Sequence, residues 1–193
     1  MTIKHDQIIV VDIEATCWEN NAAPPGEHSE IIEVGVCLLD THTFEASQRL
    51  SILVRPEHSQ ISPFCTQLTT LTPEMIAAQG IAFGEACAML EDRYESRGRL
   101  WASWGNYDKR IFHEQSQAMN VRYPFSDHHV NVRKLFSKFE KHKNPPGMTG
   151  ALEILGLTLE GTHHRGGDDA WNIAKIMGVL LQKHSVAILK KYW

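Results

Sequence analysis

Residues 7–14 have the sequence QIIVVDIE, an apolar run rich in isoleucine and valine that ends in two acids. A continuous run of this kind is typical of a central strand that is buried on both faces. Alternate side chains of a strand share a face, so Asp12 and Glu14 are expected to lie next to each other. The run therefore predicts a buried strand that carries two neighbouring carboxylates at its end.

Strand-like segments come first in the chain, and helical segments alternate with strands after them. Residues 29–40 and 43–54 predict two more strands, with Thr41 and His42 as the hairpin turn, after an irregular loop at 19–28. Thr72 is expected to cap a short helix that begins at Pro73. Further strands are predicted at residues 99–104 and 128–132, and further helices at 83–96, 106–119, 132–142, 150–155 and 167–183.

This order of elements predicts an α/β fold with one mixed five-stranded sheet, flanked by helices. Three antiparallel strands would be followed by two parallel ones, which is the general plan of the ribonuclease-H-like fold. The length of 193 residues suits a single domain at 1–193, with its core at about 7–182.

The composition is that of an ordinary globular protein, with 42% hydrophobic and 22% charged residues. No apolar run approaches the ~20 residues that cross a bilayer, and no signal peptide is recognisable, so we expect a cytoplasmic protein without a membrane partner. The four cysteines are irregularly spaced and form no Cys-x-x-Cys pair, which predicts free thiols.

Two further acidic motifs lie at predicted junctions that lead into helices. Asp108 ends the sequence WGNYD at 104–108, between a strand and a helix. The sequence HHRGGDD at 163–169 opens the last helix and contains His-x-x-x-x-Asp in two registers, His163 with Asp168 and His164 with Asp169. Helical phase favours Asp169 as the inward acid, because the apolar residues Ile173, Ile176 and Leu180 continue its stripe.

Each acidic motif, taken alone, has an ordinary structural explanation. Asp12 and Glu14 can belong to a strand that emerges into solvent, Asp108 can be a first-turn acid, and either Asp168 or Asp169 can cap a helix. Paired carboxylates at the end of a buried strand nevertheless repel each other and lose hydration, and a hard cation such as Mg²⁺ or Mn²⁺ removes both problems.

The three motifs in this order resemble those of the DEDDh 3′→5′ exonucleases. The segments DIEATCW at 12–18, WGNYD at 104–108 and DDAWNIAKI at 168–176, together with SPFCTQLT at 62–69, are similar to the Eri-1-type subfamily of RNA exonucleases. The resemblance implies two divalent cations, Mg²⁺ or Mn²⁺, held by Asp12, Glu14, Asp108 and Asp169. It also implies His164 as the general base and five residues that hold the terminal nucleotide: Ala15, Trp18, Phe64, Leu68 and Thr69. Four of them can equally be core residues: Trp18, Phe64, Leu68 and Thr69.

The resemblance further predicts which of the paired histidines acts. The family pattern places the histidine five positions before the metal-binding aspartate, which selects His164. We expect His164 on a mobile loop over the metals, with His163 pointing away toward solvent or the protein surface.

The function implied is hydrolysis of single-stranded nucleic acid from its 3′ end, with RNA favoured over DNA, by a two-metal mechanism that releases 5′-mononucleotides. The alternatives are a DEDDh exonuclease for DNA proofreading or repair, and a catalytically idle domain that binds nucleic acid.

The net charge of −4 is unusual for a nucleic-acid-binding domain. If four acids are metal ligands, 23 − 4 = 19 remain, which equals the 19 lysines and arginines. Five basic residues lie within eleven positions: Arg133, Lys134, Lys138, Lys141 and Lys143. They can form either a solvated helix face or a surface that binds phosphates.

Overall fold

The computed structural model of the protein describes residues 3–192. The strands are β1 (Lys4–Ala15), β2 (Ile31–Asp40), β3 (Ala46–Leu53), β4 (Arg99–Ser103) and β5 (His129–Asn131). The helices are α1 (Pro63–Thr69), α2 (Pro73–Gln79), α3 (Phe83–Tyr94), α4 (Tyr107–Ala118), α5 (Val132–Phe139), α6 (Met148–Leu155) and α7 (Gly166–His184). Short 3₁₀ helices lie at Glu19–Asn21, Ser96–Gly98 and Val186–Tyr192. The predicted domain at 1–193 also includes Met1, Thr2 and Trp193, which lie outside the described residues.

The five strands form one sheet in the order β3-β2-β1-β4-β5. β1 is antiparallel to β2, and β2 is antiparallel to β3, whereas β4 is parallel to β1 and β5 is parallel to β4. The predicted mixed sheet of three antiparallel and two parallel strands is therefore confirmed. Because β1, β4 and β5 run in the same direction, their carboxyl ends meet at one edge of the sheet.

Helices cover both faces of the sheet, so the core has two layers. On one face, Ile8 and Val10 of β1 belong to a buried cluster with residues of α5, α6 and α7. On the other face, Ile9 and Val11 belong to a cluster with residues of α3 and α4. A central strand with both faces covered is what the continuous apolar run at 7–14 predicts.

Several predicted boundaries differ from the observed ones. The hairpin between β2 and β3 spans residues 41–45 rather than Thr41 and His42 alone. The Asp40 carboxylate accepts hydrogen bonds from the backbone N–H groups of His42 and Thr43, at 2.7 and 2.9 Å, and so builds a wider turn. The helix predicted at 132–142 ends at Phe139. The predicted cap is present, because the Thr72 hydroxyl accepts from the backbone N–H of Met75.

The first turn of α7 lies directly against β2. A Cβ atom added to Gly35 would lie 1.8 Å from the backbone carbonyl carbon of Gly166. Only glycine permits this approach, which holds the start of α7 over the ends of β1 and β2. Among residues 3–192, none of the helices has the length and apolar character required to cross a membrane.

Candidate active site

Three acids from two elements converge at the carboxyl end of β1. Asp12 and Glu14 lie on β1, and Asp169 lies in the first turn of α7. One carboxylate oxygen from each of the three lies within 4.8 Å of the other two. Glu14 and Asp169 are buried, and Asp12 is partly exposed. The period of the strand places the first two acids on one face, and the contact between α7 and β2 brings the third.

Asp108 is the fourth acid and lies beside this group in the first turn of α4. Its Oδ1 accepts a hydrogen bond of 3.1 Å from the backbone N–H of Ile13, between the two acids of β1. The Ser103 hydroxyl, at the end of β4, donates to the backbone oxygen of Gly105 at 3.1 Å and lies 3.0 Å from Nε2 of His129. Burial raises the pKa of Asp108, and hydrogen bonds from the backbone N–H groups of Asp108 and Ile13 act in the opposite direction.

The carboxyl pKa values show that the acids are too close together to ionise independently. Burial raises the pKa of Asp12 well above its ordinary value, and the charges of Asp108, Glu14 and Asp169 add to the effect. Burial, followed by the charges of Asp169, Glu33 and Asp108, raises the pKa of Glu14 to about 8. Burial also raises the pKa of Asp169. Glu14 therefore keeps its proton at neutral pH in the metal-free protein, and a bound cation would displace it.

The donor set fits hard divalent cations. It consists of carboxylate oxygens, which Mg²⁺ and Mn²⁺ prefer as ligands. Among the residues that the structure describes, Asp169 has a buried Oδ1 without a hydrogen-bond partner. An unpaired buried oxygen beside two further carboxylates is costly unless a cation binds there.

Both histidines lie against Asp169. Nδ1 of His163 is 2.9 Å from Oδ2 of Asp169, and the backbone N–H of His164 donates to the same oxygen at 2.9 Å. The two imidazole rings stack, with centroids 3.9 Å apart. The prediction that His163 points away is therefore wrong, because the Asp169 carboxylate offers its ring an acceptor. Burial lowers the pKa of His164, and the neighbouring His163 contributes to the shift.

The two aspartates at the start of α7 have different environments. Asp168 pairs with Arg49 and accepts a hydrogen bond of 2.6 Å from the backbone N–H of Thr162. Asp169 is 4% exposed and joins the acids of β1. The helical phase of the sequence predicts this difference.

Glu33 and Arg165 are also part of the site, although the sequence analysis assigns a role to neither: Glu33 lies outside the motifs, and Arg165 lies within HHRGGDD at 163–169. Glu33 is paired with Glu14 across β1 and β2, and its side chain is fully buried. Arg165 binds it from the start of α7, with Nη2 2.9 Å from Oε1 of Glu33. An acid inside the apolar run of β2, well before the strand ends at Asp40, is the sequence signal that could have found Glu33.

The predicted nucleotide contacts are only partly at the surface. The Ser62 hydroxyl at the start of α1 donates to the backbone oxygen of Cys17 at 2.6 Å, which places this helix beside the end of β1. Phe64 and Leu68, one turn apart on α1, are 38% and 36% exposed. Trp18 is partly exposed, whereas Ala15 is buried. Thr69 is fully buried, and its hydroxyl donates to the backbone oxygen of Cys65 at 2.8 Å.

The basic segment begins at the same edge of the sheet. Asn131 precedes α5 and donates from its side-chain amide to Oδ1 of Asn106 at 2.9 Å, next to the helix that carries Asp108. Arg133 donates to the backbone oxygen of Pro145 at 2.8 Å. All five basic side chains of the segment are exposed.

A family model described as an exonuclease (RNase_T) matches residues 9–177 of this chain. The chain belongs to this exonuclease family. Human 3′-5′ exoribonuclease 1 is a relative, 34% identical over 188 residues, which are 92% of this chain and 53% of the human protein. The chain thus spans about half the length of that relative.

Solved structures of exonucleases have the same fold. The nuclease domain of 3′hExo, described as a DEDDh family member bound to rAMP, is 32% identical, with a TM-score of 0.83 and 96% of each chain covered. A 3′-exonuclease described in 3′-end specific recognition of histone mRNA stem-loop is also 32% identical, with a TM-score of 0.80, covering 93% of this chain and 83% of that one. The predicted ribonuclease-H-like fold and the resemblance to DEDDh exonucleases of the Eri-1 type are confirmed.

Proposed function

We propose that this exonuclease hydrolyses the phosphodiester bonds of RNA from the 3′ end and releases 5′-mononucleotides. The observation that carries the proposal is the convergence of Asp12, Glu14 and Asp169, with Asp108 beside them. The identity of 34% to a human protein named 3′-5′ exoribonuclease 1 supports the same activity.

Four carboxylates would hold two divalent cations, Mg²⁺ or Mn²⁺. Asp12, Glu14 and Asp169 would bind one, and Asp12 and Asp108 would bind the other. When bound, such a pair lowers the pKa of the attacking water and stabilises charge on the leaving 3′ oxygen. Asp108 is oriented for this role by the backbone N–H of Ile13.

His164 is the proposed general base, which takes the proton of the attacking water on an imidazole nitrogen. Burial lowers its pKa, so the ring is neutral at pH 7 and able to accept a proton. The ring of His163 is already bound to Asp169, which leaves the side chain of His164 as the freer of the two. In this arrangement His163 supports the position of Asp169.

Single-stranded RNA is the proposed substrate. The terminal nucleotide would lie against α1, where Phe64 and Leu68 present an exposed apolar surface, and against Trp18. Base stacking on aromatic side chains tolerates any sequence, as a trimming enzyme requires. Ala15 and Thr69 would contribute backbone groups, because the side chain of Thr69 is buried. The exposed lysine and arginine side chains of α5 and of the residues after it would contact phosphates upstream of the terminal nucleotide.

We also propose that residues 1–193 form one exonuclease domain, with its core at 7–182, and that it acts in the cytosol. The family match over residues 9–177 supports the first part. The four free cysteines, predicted from their spacing, accord with a reducing compartment.

The test is incubation with 5′-end-labelled oligonucleotides of RNA and DNA, single- and double-stranded, with Mg²⁺, Mn²⁺ or a chelator. Stepwise shortening from the 3′ end, dependent on metal and faster on single-stranded RNA, is expected. Equal kcat/KM on RNA and DNA would reject the RNA assignment. Binding without cleavage under every condition would indicate a catalytically idle domain.

A further inference from the structure

Glu33 is a buried acid that is not available for a cation. Its carboxylate receives hydrogen bonds from four groups of the protein. The Arg165 guanidinium donates from Nη2 to Oε1 at 2.9 Å and from Nε to Oε2 at 3.2 Å. The backbone N–H of Gly166 donates to Oε2 at 2.8 Å, and the Ser51 hydroxyl donates to Oε1. All of its hydrogen-bonding capacity is therefore used within the protein.

A fully buried carboxylate next to three others is unfavourable unless an opposite charge balances it. The charge of Glu33 raises the pKa of both Asp12 and Glu14. Arg165 provides the opposite charge, through a planar two-point contact that only arginine can make. Because 132 residues separate these partners, their contact connects β2 directly to the loop before α7.

That loop carries the two histidines, and Arg165 is the last residue before α7. The backbone oxygen of Arg165 accepts from the N–H groups of Asp168 and Asp169 at 3.0 and 2.9 Å, so it starts the turn that presents Asp169. His164, the preceding residue, has a left-handed backbone with φ of 64°. Such a conformation in a residue other than glycine persists only when its surroundings hold it in place.

We propose that Glu33 and Arg165 are a positioning pair that holds the His163–His164 loop and the first turn of α7 in the arrangement required for hydrolysis. The inference rests on the proposed function, in which His164 takes the proton of the attacking water. Neither residue of the pair touches the reacting atoms. Their contact determines where the His164 ring and the Asp169 carboxylate lie.

The test compares a variant without the pair with a variant of another buried arginine that forms ion pairs. Glu33→Gln combined with Arg165→Met removes both charges and keeps an amide oxygen for the N–H of Gly166, so no buried charge is left unpaired. The control is Arg99→Met. Arg99 is also buried and binds Asp6 and Glu95, but it begins β4, at the end of that strand away from the acids. Arg165→Lys, which keeps the charge and loses the two-point contact, is a second variant that should fold.

For the double variant, kcat should fall by about 10- to 100-fold, because small displacements of catalytic groups have effects of this size. KM for single-stranded RNA should stay within about twofold, because the nucleotide-binding surface on α1 is unchanged. Arg165→Lys should lower kcat in the same way. Arg99→Met should lower the melting temperature and leave kcat near the wild-type value.

Amide hydrogen exchange provides a measurement that does not depend on activity. The N–H of His164, which donates to Asp169, should exchange at least about tenfold faster in the double variant and at the wild-type rate in Arg99→Met. Unchanged exchange in the double variant would overturn the inference, as would wild-type kcat in a folded double variant. If the wild-type protein does not degrade RNA, the proposed function fails, and the exchange rates alone decide whether the pair holds the loop.

Discussion

Glu14 and Glu33 face each other across the pairing of β1 and β2, and Glu33 is the one that forms an ion pair with Arg165. The Arg165 charge also lowers the pKa of Glu14, but burial and the surrounding acids outweigh it and raise that pKa to about 8. A buried acid whose charge is not balanced is poised to bind a cation, and a buried acid that is already paired is not. This difference separates the cation-binding acids from the positioning acid beside them, and it leads to the first prediction.

The metal-free protein should lose stability as pH rises from about 4.5 to about 8. Across this range Glu14 keeps its proton in the folded state and loses it in the unfolded state, so folding becomes less favourable as pH rises. The contribution is on the order of a few kcal/mol. The difference between the melting temperatures at pH 5 and at pH 8, both measured in chelator, should therefore be smaller in Glu14→Gln than in wild type. Identical pH dependence in the two proteins would contradict the prediction.

Asp12→Asn should abolish cleavage while the melting temperature of the metal-free protein stays unchanged or rises. The substitution removes an acid whose ionisation is unfavourable in the folded, metal-free protein, and it also removes a ligand of the proposed cations. Activity assays and thermal unfolding, both with and without Mg²⁺, provide the measurement. Asp168→Asn is the matched control, because Asp168 pairs with Arg49 outside the cluster, and most of the turnover should remain. A fully active Asp12→Asn would exclude the proposed site.

His164→Ala should lower kcat by ~10²–10⁴, the usual effect of removing a general base. The pKa of His164 is lowered from its ordinary value of 6.5, so the rate should fall only below that pH, as the imidazole gains a proton. This acidic limb of the rate–pH profile should be absent in His164→Ala and present in His163→Ala. The rate of His163→Ala should fall much less than that of His164→Ala, because the backbone N–H of His164 still holds Asp169. If His163→Ala lost its activity while His164→Ala kept it, His163 would be the general base instead.

Phe64→Ala should raise KM for single-stranded RNA with little change in melting temperature. Stacking of a base on an aromatic side chain contributes ~1–3 kcal/mol, and the exposed ring adds little to the core. Met89→Ala, on α3, is the matched control, since Met89 is equally exposed at 38%. An unchanged KM in Phe64→Ala, or a large loss of stability, would remove this residue from the proposed nucleotide-binding surface.

Lys134→Glu combined with Lys138→Glu should weaken RNA binding and make it less dependent on salt. Each lost phosphate contact reduces the number of ions released on binding, and the reduction should be the same for every RNA sequence. Binding measured over a range of salt concentrations tests this. Lys190→Glu is the control. Lys190 lies in the 3₁₀ helix that contacts His128, just before β5 begins, and so at the edge of the sheet opposite the acids. Equal salt dependence in all three proteins would mean that the segment is a solvated helix face.

The sequence alone predicts those parts of the site that depend on local periodicity. The two-residue period of a strand puts Asp12 and Glu14 on one face, and the helical period identifies Asp169 rather than Asp168 as the inward acid. The order of strands and helices predicts the mixed sheet, whose parallel strands bring Asp108 to the same edge. These features follow from backbone geometry, which is the same in every protein.

The tertiary structure alone determines the contacts between distant segments. Glu33 meets Arg165 only because α7 lies against β2 where Gly35 and Gly166 allow close approach. Glu33 belongs to no recognisable motif, and the motif that contains Arg165 does not indicate its partner. His163 meets Asp169 only six residues further along, across a turn in which His164 has a left-handed backbone, and helical periodicity does not describe such a turn. Periodicity predicts which face a side chain occupies, but its partner on that face depends on how the segments pack together.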